Sequence, residues 1–300
     1  MVAEEWREWE GISRQWASGG VSNFHYLLHL NGMAHRSFSD LAQYPVFPWV
    51  VADYESASLN LDDPSTFRDL SRPIGSLSPP RLEVLRSRMA AMEGDAKFLY
   101  GTHYSTPAYV IFFMARAAPE FCLHFHSGRF DQPDRAFSSV GETWRQVTSH
   151  TSDVKELIPE FYTTPGDFLV NSSGLDMGVT QAGEPLGDVR LPPWAADAHD
   201  FTTKLRRALE CDLVSSSIHL WIDLIFGHSQ RGPAALEADN LFHPMSYEGA
   251  VDLEGGMDAV QRSACLQQIS EFGQTPMQLF KHPHPPRRGG APILSHVRAK

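Results

Sequence analysis

The side chains able to do chemistry are spread along the chain, and few stand at spacings that a reaction would use. His103, Tyr104 and Ser105 follow Gly101 and set a base beside a nucleophile, as acyl transfer requires. Adjacent residues seldom point at each other, and Ser105 or Thr106 is wanted as the cap of a helix opening at Pro107. Asp223 lies inside the apolar run Trp221-Ile-Asp-Leu-Ile-Phe-Gly227. A carboxylate there must be hydrogen-bonded or paired, with Arg231 or with backbone donors of an irregular segment, and structural pairing is favoured over catalysis. Asp153, Lys155, Glu156 and Glu160 form a charged run beside Leu157, Ile158 and Phe161, read as a solvated face at the edge of a core. If Lys155 and Glu156 were buried instead they would need partners and would be architectural. The alternative, a hydrolase using Asp223, His103 and Glu156, requires one pocket that brings base and nucleophile within hydrogen-bond reach.

Metal and cofactor chemistry lack their patterns. The chain has 14 histidines, and His124 and His126 on an extended segment would point both rings to one side. No neighbouring cysteine or paired carboxylate completes a tetrahedral set, so no metal is expected. His282 and His284 read as linker composition. No Gly-x-Gly-x-x-Gly, phosphate loop, Gly-x-Ser-x-Gly elbow or His-Glu-x-x-His occurs in the sequence. No cofactor and no enzymatic activity are therefore expected.

Composition narrows the partners. With 25 basic against 36 acidic residues the net charge is -11, which argues against a nucleic-acid partner and against broad attraction to anionic lipid. A local basic patch would have to come from Arg206, Arg207, Arg287 and Arg288, the residues on which a peripheral lipid-binding reading rests. Cys122, Cys211 and Cys265 are odd in number and far apart, and read as reduced thiols. Residues Met1 to Glu10 are acidic and carry no secretory pattern, so a cytoplasmic location is expected. The longest apolar run, Pro107 to Pro119, is broken by Arg116 and is too short to cross about 30 Å of hydrocarbon.

The elements that must position these residues are mostly helical. Ser22 caps an amphipathic stretch reaching His35, with Phe24, Leu27, Leu28 and Met33 on its apolar side. Thr106 and Pro107 open a buried helix ended by Pro119, and a helix is predicted from Gln132 to Thr148 with Pro133 in its first turn. Two helical patterns join between Asp200 and Phe226, with Gly227 as a left-handed stop. Asp258 to Phe272 repeats the signature, with Val260, Cys265, Leu266 and Ile269 inside and Gly273 closing it. Between Tyr44 and Tyr54, Pro45 and Pro48 bias their predecessors to extended backbone. So aromatic a stretch must bury itself, which makes part of the core irregular. After Lys281 the His-Pro-His-Pro-Pro-Arg-Arg-Gly-Gly composition is that of a tail, expected to be flexible beyond Arg288. No domain boundary or repeat interrupts the chain.

In order, these segments resemble the BEACH domain, named for the Beige and Chediak-Higashi proteins. The resemblance is carried by Val21-Ser-Asn-Phe-His-Tyr-Leu-Leu-His-Leu-Asn31, Gln43-Tyr-Pro-Val-Phe-Pro-Trp49, Thr66-Phe-Arg-Asp-Leu-Ser71, Tyr100-Gly-Thr-His-Tyr-Ser105 and Asp153-Val-Lys-Glu-Leu-Ile-Pro-Glu-Phe161. Leu191-Pro-Pro-Trp-Ala195, the run to Gly227, Tyr247-Glu-Gly-Ala-Val-Asp252 and Phe272-Gly-Gln-Thr-Pro276 extend it. Within the family, Phe168-Leu-Val-Asn171, Phe242-His-Pro244 and Glu271 to Pro276 are most similar to the factor associated with neutral sphingomyelinase activation. Residues 120 to 133 depart from the usual pattern while keeping Gly128, Phe130 and Asp131.

The resemblance implies a BEACH domain over residues 16–287, with a lead-in at 1–15 and a tail or linker at 288–300. It implies a mainly α fold whose core contains many irregular, proline- and aromatic-rich extended segments. It implies, too, a non-catalytic scaffold or adaptor for protein-protein interactions in vesicle trafficking, membrane dynamics, lysosomal biology or receptor signalling, cytoplasmic and peripheral on endomembranes. Family members carry a pleckstrin-homology-like domain upstream and WD40 repeats downstream, neither present in this chain. The surface meeting the upstream domain is assigned to Ser22, Asn23, Phe24, Asn31, Tyr44, Phe47 and Trp49, with plain core packing as the competing reading. An exposed aromatic patch is expected of a docking module.

Overall fold

The computed structural model describes residues 11–94, 97–250 and 255–287. Its regular structure is helical: α1 (residues 11–17), α2 (Asn23–Met33), α3 (Pro79–Ala90), α4 (Pro107–Met114), α5 (Pro119–Phe125), α6 (Val140–Ser149), α7 (Ala198–Glu210), α8 (Asp212–Ile225), α9 (Gly232–Glu237) and α10 (Ala259–Phe272). Among the described residues only isolated β-bridges occur, so the fold is mainly α, as the resemblance implies.

Proline starts α3, α4 and α5, where its missing donor is harmless and its fixed φ fits the first turn. Side-chain caps at Ser22, Thr106, Ser139, Asp197 and Asp258 set the other main entries. In α7, Phe201, Leu205, Ala208 and Leu209 recur at helical spacing and are buried, and the last part of α8, from Trp221 to Ile225, is buried on all sides.

The centre of the molecule is not helical. Residues 44–54 cross it in extended form, with Val46, Phe47, Trp49, Val50 and Val51 fully buried. Without a sheet, each backbone group must find its own partner, since an unpaired buried amide costs about as much as a lost hydrogen bond. Phe47 and Leu157 exchange backbone bonds at 2.9 and 2.8 Å, and Arg68 N donates to Val50 O at 3.0 Å. The side-chain amide of Asn31 serves Val46 as a strand neighbour would, accepting from its N–H at 2.8 Å and donating to its carbonyl at 3.0 Å. Around this thread the aromatic core closes on Phe161, whose ring centroid lies 4.8 Å from Phe168, 5.0 Å from Phe113 and 6.0 Å from Phe137.

Several expectations are corrected. The helix from Pro107 ends at Met114, and Pro119 begins the next helix rather than stopping that one. The helix predicted from Gln132 starts at Val140, because Pro133–Arg135 is a separate 3-10 turn and Ser139 is extended, pairing with Arg190 before capping Glu142 N. Gly227 is not left-handed (φ -117°); glycine is required because a Cβ would lie 2.5 Å from Asp223 Cα. Helix α10 shows solvent most of what was assigned to the core: Val260 is 78% and Leu266 45% exposed, and only Cys265 is buried. Nor do residues 281–287 hang free, since His284 and Arg287 are buried against α1, α2 and α8. Residues 288–300, expected as a flexible tail, and the acidic stretch 1–10 lie outside the described residues.

Phe161→Ala is expected to cost about 3–5 kcal/mol, the range for removing a large buried aromatic. The shift in denaturation midpoint at constant slope measures it, and a loss below about 1 kcal/mol would show that the aromatic centre repacks.

Candidate functional site

The charged run around Glu156 is not a solvated face. Lys155 and Glu156 are both buried, and they are architectural. Glu156 Oε2 accepts from Arg68 Nη1 at 2.8 Å and from Trp49 N at 3.1 Å, while Oε1 accepts from the Trp221 indole at 3.1 Å. One carboxylate thus ties together the central thread, the segment after it and α8. The guanidinium of Arg68 also reaches Arg72 O at 3.1 Å. Lys155 pairs with Asp153, and its ammonium lies 4.6 Å from the Phe112 ring centre and 5.2 Å from that of Tyr109. Burial pulls its pKa down, and the Asp153 carboxylate opposes this.

The hydrolase constellation does not assemble: no hydrogen bond joins any two of Asp223, His103 and Glu156. The ring of His103 is fully buried; its Nδ1 accepts from Ser105 N at 3.2 Å, so Nε2 carries the proton and donates to Phe272 O at 2.9 Å. Burial, with Arg36 near, lowers its pKa to about 3. Asp223 pairs with neither Arg231 nor a catalytic base. Both its oxygens accept from His284 N, at 2.9 and 3.2 Å, and burial raises its pKa. Arg231 instead donates to Glu248 O at 2.6 Å.

The Asp223–His284 bond anchors the C-terminal strap, residues 281–287. His284 Nδ1 donates to Pro285 O at 2.9 Å, which leaves Nε2 to accept from Tyr26 Oη at 2.6 Å. Burial lowers the pKa of His284 to about 4. Tyr26 stacks on Trp16 with centroids 4.6 Å apart.

The residues assigned to an upstream partner fall mostly in the interior. Ser22 is half-buried and caps α2, while Asn23, Phe24, Asn31, Tyr44, Phe47 and Trp49 are buried. Asn23 uses its whole amide, accepting from Trp16 Nε1 and Arg287 Nη1 and donating to Leu209 O and Ser215 Oγ. Phe24 lies under the Arg206 guanidinium at 3.8 Å and beside Phe47. Tyr44 donates to Glu160, and Trp49 donates its indole N–H to Lys155 O. In this chain the set packs the core, because each polar atom offered to a partner is already bonded within.

The arginines of the proposed lipid patch are mostly engaged within the chain. Arg287 is buried against Asn23, Arg206 is held by Glu210 and Tyr162 O, Arg207 is exposed, and Arg288 lies outside the described residues. His124 and His126 stand on and just after α5, not on a strand, where a two-residue step turns side chains apart. Among the described residues no group of three or more His, Cys, Asp or Glu could hold a metal, and no helix is long and apolar enough to cross a membrane.

What the surface does offer surrounds α10. Phe272 is 54% exposed, and across a cleft of about 810 Å³ it faces α5, which buries Cys122 and turns Phe121 (48%) and Phe125 (42%) outward. Leu41, Ala42, Pro107, Ala108 and Ile111 line the same cleft. A second hollow, on the other side of Phe272, is lined by His243, Met245 and Ile269. The apolar character of this helix was legible in the sequence; its exposure was not, since periodicity does not say which side is covered.

Comparison with known proteins completes the description. A family model described as the Beige/BEACH domain matches residues 14–287. BEACH domain-containing protein B of Arabidopsis thaliana is 50% identical over 287 residues, covering 94% of this chain and 11% of that protein. The chain therefore spans about a tenth of the length of that relative.

Glu156→Gln is expected to destabilise the protein by about 3–5 kcal/mol, because it leaves the Arg68 guanidinium buried without its counter-charge. A double variant with Arg68→Met should recover part of that loss in a denaturant cycle, and additive losses would show that the pair is not coupled. Acid should loosen the strap. Histidine in the unfolded chain titrates near 6.5 and His284 in the fold near 4, so the unfolded state binds more protons in between. The stability from keeping His284 neutral is whole above pH 6.5 and is lost as pH falls toward about 4, at up to about 1.4 kcal/mol per pH unit. Asp223 works in the opposite direction, since its raised pKa favours proton uptake by the folded state. Comparing the midpoint-against-pH slope of His284→Gln with that of the wild type isolates the histidine, and identical slopes would count against it.

Proposed function

The chain belongs to the Beige/BEACH domain family, and from that premise we propose that it is a non-catalytic scaffold module acting through protein-protein contacts in membrane trafficking or receptor signalling. The observation that carries this reading is a division between interior and surface. Glu156, Asp223 and His103 are buried and bonded to structural partners, whereas Phe121, Phe125 and Phe272 stand exposed around one cleft. Buried, paired groups have no site where a substrate would meet them. Clustered exposed aromatics are what a docking surface spends its contact energy through.

A chain that matches one part of a much longer relative is suited to work beside other modules. The proposal accordingly includes a pleckstrin-homology-like neighbour upstream, WD40 repeats downstream, and a cytoplasmic protein recruited to endomembranes by its partners rather than by lipid. Residues 16–287 form the BEACH unit in this reading. An upstream neighbour would meet the face above the α2 entry, where His25 is exposed and the half-buried Ser22 is bonded to it.

Activity assays of the purified chain on ester, amide and phosphate substrates should show no turnover that disappears in His103→Gln or Asp223→Asn. Partner capture by the full-length protein should fall when Phe121, Phe125 and Phe272 are replaced together by serine. Turnover lost in His103→Gln at an unchanged unfolding midpoint would defeat the scaffold reading, as would full partner capture by the triple variant and by variants of the α2 face.

A further inference from the structure

The cleft between α4, α5 and α10 has a composition that selects its occupant. Its sides carry Phe121 and Phe125 from α5 and Phe272 from α10, and its floor is Leu41, Pro107 and Ile111. Among the described residues, the charged side chains lining it, Asp40 and Glu271, are both acidic, His124 is the one basic-type residue on it, and no lysine or arginine lines it. Both carboxylates are exposed: Asp40 accepts from Ala42 N and lies within electrostatic reach of the buried Arg36, and Glu271 accepts from Gln267 Nε2. They stand within a protein of net charge -11.

The two aromatics of α5 are four residues apart on a helix that gives only Cys122 to the interior. Its small core, built from Ile111, Ala115, Cys122, Met177 and Leu186, is separate from the main one, so the α5 wall rests on a satellite that can adjust. No strand edge is available among the described residues, which removes backbone pairing as a way of holding a peptide. Affinity must come from side chains set into the cleft.

We propose that this cleft docks an amphipathic, basic helical segment of a partner protein, its apolar face on Phe121, Phe125 and Phe272 and its lysines or arginines toward Asp40 and Glu271. The proposal rests on the docking function above and names the chemistry of the partner. It is one of the recurring ways in which grooves read helices, through apolar anchors three and four residues apart. Opposite charge on the rim adds steering that salt screens.

A displayed library of random peptides is panned on the intact chain, and the recovered peptides are synthesised with a fluorescent label. Their affinities are then measured for wild type, Phe121→Ser/Phe125→Ser and Glu271→Lys. The expected peptides carry net positive charge and apolar residues at helical spacing. They bind at least about tenfold more weakly to the double variant, more weakly to Glu271→Lys, and more weakly in high salt. All three substituted residues are exposed, so circular dichroism and the denaturation midpoint should match wild type, and Glu271→Lys carries the test if the double variant misfolds. Recovered peptides that are neutral or acidic would overturn the inference while leaving a docking cleft in place. Peptides that bind both variants as well as wild type would remove the cleft itself. Co-sedimentation with phosphatidylserine vesicles that is lost in the double variant, with no peptide recovered, would replace the partner by a membrane and overturn the inference.

Discussion

A single interior carboxylate sets the geometry on which the rest of this domain depends. Glu156 binds Arg68, the backbone of Trp49 and the indole of Trp221, groups from three distant parts of the chain. Two formal charges out of water repay their desolvation only when their remaining valences are met. Here the carboxylate is met on both oxygens and the guanidinium reaches two carbonyls besides, which leaves only its Nε without a partner among the described residues. The arrangement matters less as a source of stability than as a constraint on register. A slip of the central thread by one residue would move Trp49 N away and strand both charges. With no ladder to fix alignment, point contacts of this kind, and the pairing of Asn31 with Val46, do the work that a sheet would do elsewhere.

The same logic closes the molecule at its other side. Asp223 accepts the backbone of His284, Asn23 accepts Arg287, and Tyr26 donates to the imidazole. A proline-rich segment that cannot form regular structure is thereby held against α1, α2 and α8. Gly227 belongs to this arrangement, since any side chain there would strike Asp223. Tyr26 thus touches Ser13 and His284, and Asn23 touches Arg287, so α1, the start of α2 and residues 284–287 lie together.

Polar residues that resemble catalytic groups are thus absorbed by the needs of an irregular core. On the surface, α10 shows most of its length to solvent, including Val260, Leu266 and Phe272. A capping box at Asp258 and Gln261 and a glycine at φ 66° define its ends, yet burial defines little of its length. That combination, local definition without tertiary cover, suits an element whose covering partner is another molecule.

The sequence by itself determined the family, the mainly helical class, the capped helix entries and the buried character of the 44–54 stretch, because these follow from caps, prolines, periodicity and motif order. It also showed that Asp223 would need a partner. Only the tertiary structure decided which partner: donors at Asp223 and Glu156 come from residues 61 and 65 or more positions away, at separations no local pattern encodes. It alone decided that Phe24, Phe47 and Trp49 are core while Phe121, Phe125 and Phe272 are surface, since an aromatic side chain reads the same in sequence whether or not another element lies over it. The helix expected from Gln132 and the stop expected at Gly227 failed for the same reason. Ser139 answers to Arg190 and Gly227 to Asp223, and contacts formed at a distance overrule what neighbouring residues would choose alone.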